Sequence, residues 1–150
     1  MPINNDILNF KEFSTWVATL HELDRELWTR PLSKGKWSTS EIISHIMNWD
    51  HHILTSILPA VKAGTPIRFP DEDRYNQQAS DYARSGIGQS ALLEEVIQTR
   101  EQLVAELLDM PEAYYYKQLN YSLSFLISEF VLHDRHHKEQ IESWLRQHQE

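Results

Sequence analysis

The chain has 150 residues, the usual size of one domain and long enough to bury a core without disulfides or other staples. Fourteen Lys and Arg against 22 Asp and Glu give a net charge of −8, which argues against a domain that grips nucleic-acid phosphates. Cysteine is absent, which excludes a disulfide framework, a cysteine nucleophile and every thiolate metal site.

The opening stretch, MPINNDILNF, lacks a basic start followed by an apolar run. No segment approaches the ~20 apolar residues that span a bilayer. The expectation is a soluble, cytoplasmic protein that binds neither membrane nor nucleic acid. Only four glycines occur in the chain, which suits a helical protein with few tight turns.

From about Asn5 to Trp28, Leu8, Phe13, Trp16, Val17, Leu20, Leu23, Leu27 and Trp28 recur mostly three and four apart, which predicts a first helix. Pro31 and Gly35 predict a loop over Arg30 to Lys36. Ser38-Thr39-Ser40-Glu41 has the pattern of a capping box and predicts the start of a second helix. Its apolar stripe is Ile42, Ile46, Trp49, Ile53 and Ile57, and it should end near Pro59 to Gly64. Gly64 to Gly88 is the least regular stretch; Asp71 to Arg84 fits a short polar helix, and connections of this length often serve as lids or binding loops. A third helix is predicted from about Ser90 to Leu108, closed by Pro111, with Tyr114, Tyr115 and Tyr116 in a connecting segment. The last helix should run from Ser122 or Ser124 to about Arg146. No segment alternates cleanly and no hairpin turn appears. The predicted fold is all-α: a single domain over residues 1–150, a four-helix bundle with a long crossover between its second and third long helices.

The histidines carry the functional signal. His45, His51 and His52 form one cluster, and His133, His136 and His137 another. On the last helix the stripe reads Leu126, Phe130, His133, His137, Ile141, Trp144, which puts His133 and His137 on the core face one turn apart. His45 falls on the stripe of the second helix. Two imidazoles at i and i+4 can chelate one ion, and a third from a facing helix completes a site of three neutral ligands with an open position. A single histidine on an apolar face is usually a satisfied core residue, but each of three would need its own partner. His136 lies about 100° round the helix from His137 and should face away. His52 returns to the face of His45 and either lines the cavity or sits at the bundle end. His51, His21 and His148 read as surface residues. Glu129 and Asp134 are placed to orient a ligand, Gln140 to reach the cavity mouth, and Glu41 to serve its capping box. Asp71, Glu72 and Asp73 read as a solvated helix start, and the tyrosine cluster as a boundary group or a pocket roof. His133-Asp134-Arg135-His136-His137 has the histidine spacing of a metalloprotease helix. Asp replaces the Glu base of that motif, and the protease reading is set aside.

Trp37-Ser38-x-x-Glu41-Ile42-Ile43-x-His45, then Asp71-x-Asp73-x-Tyr75-Asn76, then His133-x-x-x-His137-x-x-Gln140-Ile141 follow in an order that resembles the DinB/YfiT-like superfamily over nearly the whole chain. The resemblance implies a four-helix bundle holding a divalent metal, zinc or nickel before others, on His45, His133 and His137, and a homodimer. It also implies a metal-dependent enzyme acting on a small-molecule substrate. The first expectation is transfer of a low-molecular-weight thiol to an electrophile, since a chain without cysteine must take its thiolate from a cosubstrate. The alternatives are a hydrolase using metal-bound hydroxide and a non-catalytic metal-binding or interaction bundle.

Overall fold

The computed structural model describes residues 4–148. Among them are eight α-helices and no strand longer than an isolated bridge between Pro31 and Ser38. In chain order the helices are α1 (Asn5–Thr19), α2 (Arg25–Thr29), α3 (Thr39–His52), α4 (Leu58–Ala63), α5 (Glu72–Ala83), α6 (Gln89–Asp109), α7 (Glu112–Tyr116) and α8 (Leu123–His148). The four long helices of the bundle are α1, α3, α6 and α8, as the apolar periodicity predicts.

Two buried clusters fix the direction of each helix. One joins Ile7 and Phe10 of α1 to Leu103 and Leu107 of α6 and to Ile127 and Val131 of α8, together with Ile53 and Ile57 beyond α3. The other joins Phe13 and Val17 of α1 to Ile42 and Ile46 of α3, Leu92 and Val96 of α6, and Ile141 of α8. Helices α1 and α8 therefore run from the first cluster to the second, and α3 and α6 run the other way. Because α3 and α6 are parallel neighbours, the chain must travel back along the bundle between them. This is why the third long helix needs a crossover rather than a tight turn, and α5 forms on that return path against α3.

The structure departs locally from the sequence expectation at three places. The first helix stops at Thr19, passes through a 3₁₀ turn over Leu20–Glu22 and turns extended at Leu23. The Gln89 amide donates to the carbonyls of Leu20 and Leu23, the acceptors that a continuing helix would have needed. Beyond α3 the ladder widens into a π-helical turn over Ile53–Ile57, where the Leu58 N–H reaches back to Ile53. Pro59 follows at once; it has no N–H to give and its ring crowds the preceding turn. The tyrosine segment forms the short helix α7, with Tyr115 buried in the core and Tyr114 and Tyr116 exposed.

The capping box of α3 is present: the Ser38 hydroxyl accepts from the Glu41 N–H and the Glu41 carboxylate accepts from the Ser38 N–H. The other Glu41 oxygen accepts from the Ser80 hydroxyl of α5, so one side chain both starts α3 and docks the crossover helix. No helix among the described residues is long and apolar enough to cross a membrane.

Candidate metal centre

His45 on α3 and His133 and His137 on α8 converge. The Nε2 atoms of His45 and His133 lie 3.0 Å apart, and those of His137 and His133 lie 3.1 Å apart. Each ring offers a nitrogen to a point where all three lie within 4.8 Å of one another. The outward-facing nitrogens settle which atoms carry protons. His45 Nδ1–H donates to Asn76 Oδ1 at 2.9 Å, and His137 Nδ1–H donates to Gln140 Oε1 at 2.9 Å. Asn76 Oδ1 also accepts from the indole N–H of Trp49 at 3.0 Å. With Nδ1 protonated, a neutral His45 or His137 presents a bare lone pair at Nε2. His133 Nε2 can satisfy only one such neighbour with a proton. Two or three inward-facing lone pairs in so small a space fit a cation. For ligand distances of ~2.0–2.1 Å, tetrahedral geometry puts nitrogens about 3.3 Å apart, close to the spacings here.

Protonation follows the same logic. Burial pushes His45 down to about 4, helped by the charge of His137 and opposed by the Asn76 hydrogen bond. Burial pushes His133 down to about 3, with His137 and His45 adding to the effect. Burial lowers His137 also, against the pull of Gln140. All three imidazoles are thus neutral and available as ligands at neutral pH.

The structure corrects the placement of several neighbours. His133 and His137 are half-buried at the shoulder of α8; the residue on its core face is Asp134. Asp134 orients no histidine. Its two oxygens accept from Arg100 Nη1 at 2.8 Å and Nη2 at 3.2 Å. Arg100 also donates to Asp50 through Nε and Nη2, and to the Phe10 carbonyl through Nη1. All five N–H groups of a guanidinium only 2% exposed are spent, and its carbon sits 3.7 Å from the Phe10 ring centre. This charged layer lies between the two apolar clusters and touches α1, α3, α6 and α8. A helical stripe drawn from apolar letters passes over it; the available signal was a charged residue recurring at core spacing on three helices.

His52 donates from Nε2 to the Arg68 carbonyl and is an anchor for the crossover, not a ligand. His51 and His136 are exposed, and Glu41 serves the cap and α5. Gln140 is engaged with His137, as its position suggested. Asn76 was visible only as part of a family stretch; its contact with His45 spans 31 residues and no local pattern reveals it.

Beside the histidines lies a cavity of about 530 Å³, bounded by His45, His133, Trp49, Phe69, Phe130 and Leu132, with the exposed carboxylates of Glu72 and Glu129 on its wall. The crossover contributes Phe69 and Glu72 to it, as a loop of that length suggested. The tyrosines of α7 do not line it.

Four long helices thus bring three histidine nitrogens to one point at the edge of a cavity, a donor set of the kind that can hold a metal ion. The profile of the DinB superfamily matches residues 12–141, and the chain belongs to that superfamily. Among solved structures, YfiT from Bacillus subtilis is similar in fold, with a TM-score of 0.76 and 16% identity over 95% of this chain and 85% of its own. YfiT is described as a probable metal-dependent hydrolase with an unusual four-helix bundle topology. No curated protein sequence matches the chain.

Proposed function

We propose that this protein is a metal-dependent enzyme in which His45, His133 and His137 hold a divalent cation, zinc or nickel first, and a nucleophile from solution attacks a small electrophile in the adjoining cavity. The observation that carries this reading is the convergence of three Nε2 atoms beside that cavity. When bound, such an ion lowers the pKa of a thiol or water at its open position. The chain supplies the rest. Asn76 and Gln140 hold the rings of His45 and His137 in the tautomer that presents Nε2. Trp49, Phe69, Phe130 and Leu132 offer the electrophile an apolar wall and limit water. Glu72 and Glu129 are the lining groups able to accept a proton from the incoming nucleophile. The chain has no cysteine and the wall no Ser, Thr or Lys among the described residues, which suits a nucleophile taken from solution.

A low-molecular-weight thiol makes the enzyme an S-transferase. Water makes it a hydrolase, and the reading given to YfiT supports that second outcome. Zinc- and nickel-loaded protein should be given a chloronitroarene with and without added thiols, and an activated ester without thiol. Thioether formed only with thiol establishes the transferase; ester cleavage without thiol, with solvent oxygen in the product, establishes the hydrolase. His137→Ala should abolish either one. Metal bound without turnover of either class would leave a metal-binding bundle. A homodimer belongs to the same reading; exposed Leu8 on α1 and Leu108 on α6 are candidate contacts, and sedimentation velocity tests it.

A further inference from the structure

A second cavity, of about 690 Å³, lies on the other side of the α3 N-terminus, between the α2 region, the loop before α3 and the end of α5. Its lining carries Arg25 from α2, Lys36 from the loop and Arg84 from the C-terminal end of α5. None of the three makes a salt bridge among the described residues. The one carboxylate on the wall is Glu41, and its oxygens already accept from Ser38 and Ser80. The remaining polar lining is hydroxyl and amide. In a chain with 22 acids and 14 bases, this cavity has inverted the local balance: three cations against one carboxylate, which is held by neutral donors. Trp37 also lines it, half-buried, with Pro31 and Ile87 as apolar neighbours.

We infer that this cleft binds a small anionic ligand, a compact phosphate- or carboxylate-bearing group attached to a flat apolar body. Guanidinium and ammonium donors from three separate segments suit the anionic group. The indole of Trp37 suits the flat portion. The cleft is separate from the three histidines, yet it borders them: the Trp37 ring lies 5.2 Å from the His45 ring, and Glu41 and Ser80 tie the cleft to α5, the helix that carries Asn76. A ligand seated there would touch α3 and α5, the elements that carry His45 and Asn76.

The test is a titration of the full chain with phenyl phosphate and with inorganic phosphate, followed by the side-chain NMR signal of Trp37. Phenyl phosphate should bind saturably and more tightly than phosphate, and added salt should weaken it. Arg84→Gln and Arg25→Gln should each weaken it about tenfold, the value of one charge-assisted contact of about 1.4 kcal/mol. Both positions are exposed, and circular dichroism verifies the fold. His137→Ala separates the two sites: binding that persists in it belongs to the cleft whether or not the metal reading holds, and binding lost in it belongs to the metal centre and overturns the inference. No saturable shift at Trp37 in the wild type, or binding indifferent to both arginine substitutions, also overturns it.

Discussion

At the level of single residues, the histidines owe their role to the groups behind them. Asn76 accepts from both His45 and Trp49, so Asn76→Ala frees the His45 ring and leaves the indole N–H of buried Trp49 without its partner. Metal affinity should fall roughly 10–100-fold, the usual cost of losing a group that orients a ligand, with the fold retained. Gln140→Ala should cost less because Gln140 is exposed and water can replace it. Competition titration with a chromophoric chelator measures both; an unchanged affinity for Asn76→Ala would show that His45 needs no orienting partner. Proton linkage gives a second test. In metal-free protein the unfolded chain takes up protons on these histidines from about pH 6.5, while the folded chain refuses them at His45 until about 4 and at His133 until about 3. Stability is therefore full above pH 6.5 and drains as pH falls through that window. Asp134, raised from 3.8 to about 6 by burial against the pull of Arg100, acts the other way between those values, and Asp50 is shifted in the same direction. The histidine contribution should lower the midpoint of thermal unfolding as pH falls from 7 to about 5, with the two carboxylates opposing it. His133→Ala should remove part of that contribution, and a profile identical in the two proteins would mean that His133 takes up its proton alike in the folded and unfolded chain.

Between elements, the Asp50–Arg100–Asp134 layer is the joint of the bundle. It ties α6 to both helices that carry the three converging histidines, α3 and α8, and also to the α1 backbone. Arg100→Met alone strands two buried carboxylates and should destabilise the fold by about 3–5 kcal/mol, read by chemical denaturation. Replacing the whole triad with Asp50→Leu, Arg100→Met and Asp134→Leu should recover most of that loss, because apolar side chains of similar size escape the cost of burying charge. If the triple variant were no more stable than Arg100→Met, the layer would be contributing more than paired charge. The crossover is a joint of a different kind: Ser80 to Glu41 and Ser44 to the Ala79 carbonyl hold α5 on α3, and Asn76 lies one turn before them.

For the whole molecule, a ligand that binds only the folded chain stabilises it by mass action. Free zinc at about a hundred times its dissociation constant adds about 2.7 kcal/mol, or roughly 5–10 °C in the unfolding midpoint for a chain of this size. A chelator should reverse the gain, and His137→Ala should show none of it. Scanning calorimetry of metal-free and loaded protein makes the comparison, and an equal response in His137→Ala would place the ion elsewhere.

Apolar letters three and four apart were enough to place the four long helices, because one face of each must leave water whatever it packs against. The same periodicity put His45, His133 and His137 on core faces, which holds for His45 but not for the half-buried pair on α8, and the capping box marked the start of α3 to the residue. All of that information is local: it needs only the geometry of one helix. Tertiary structure decided the rest. The break after Thr19 depends on Gln89, 69 residues beyond Leu20. Placing Asp134 at the core and its neighbours His133 and His137 at the shoulder depends on Arg100, since a carboxylate enters a core only where a cation meets it. Pairing His45 with Asn76, seating the cavity beside the histidines and gathering Arg25, Lys36 and Arg84 on one cleft all join segments far apart in the chain. A helical period states which way a side chain points; only the packing of helices states what it meets.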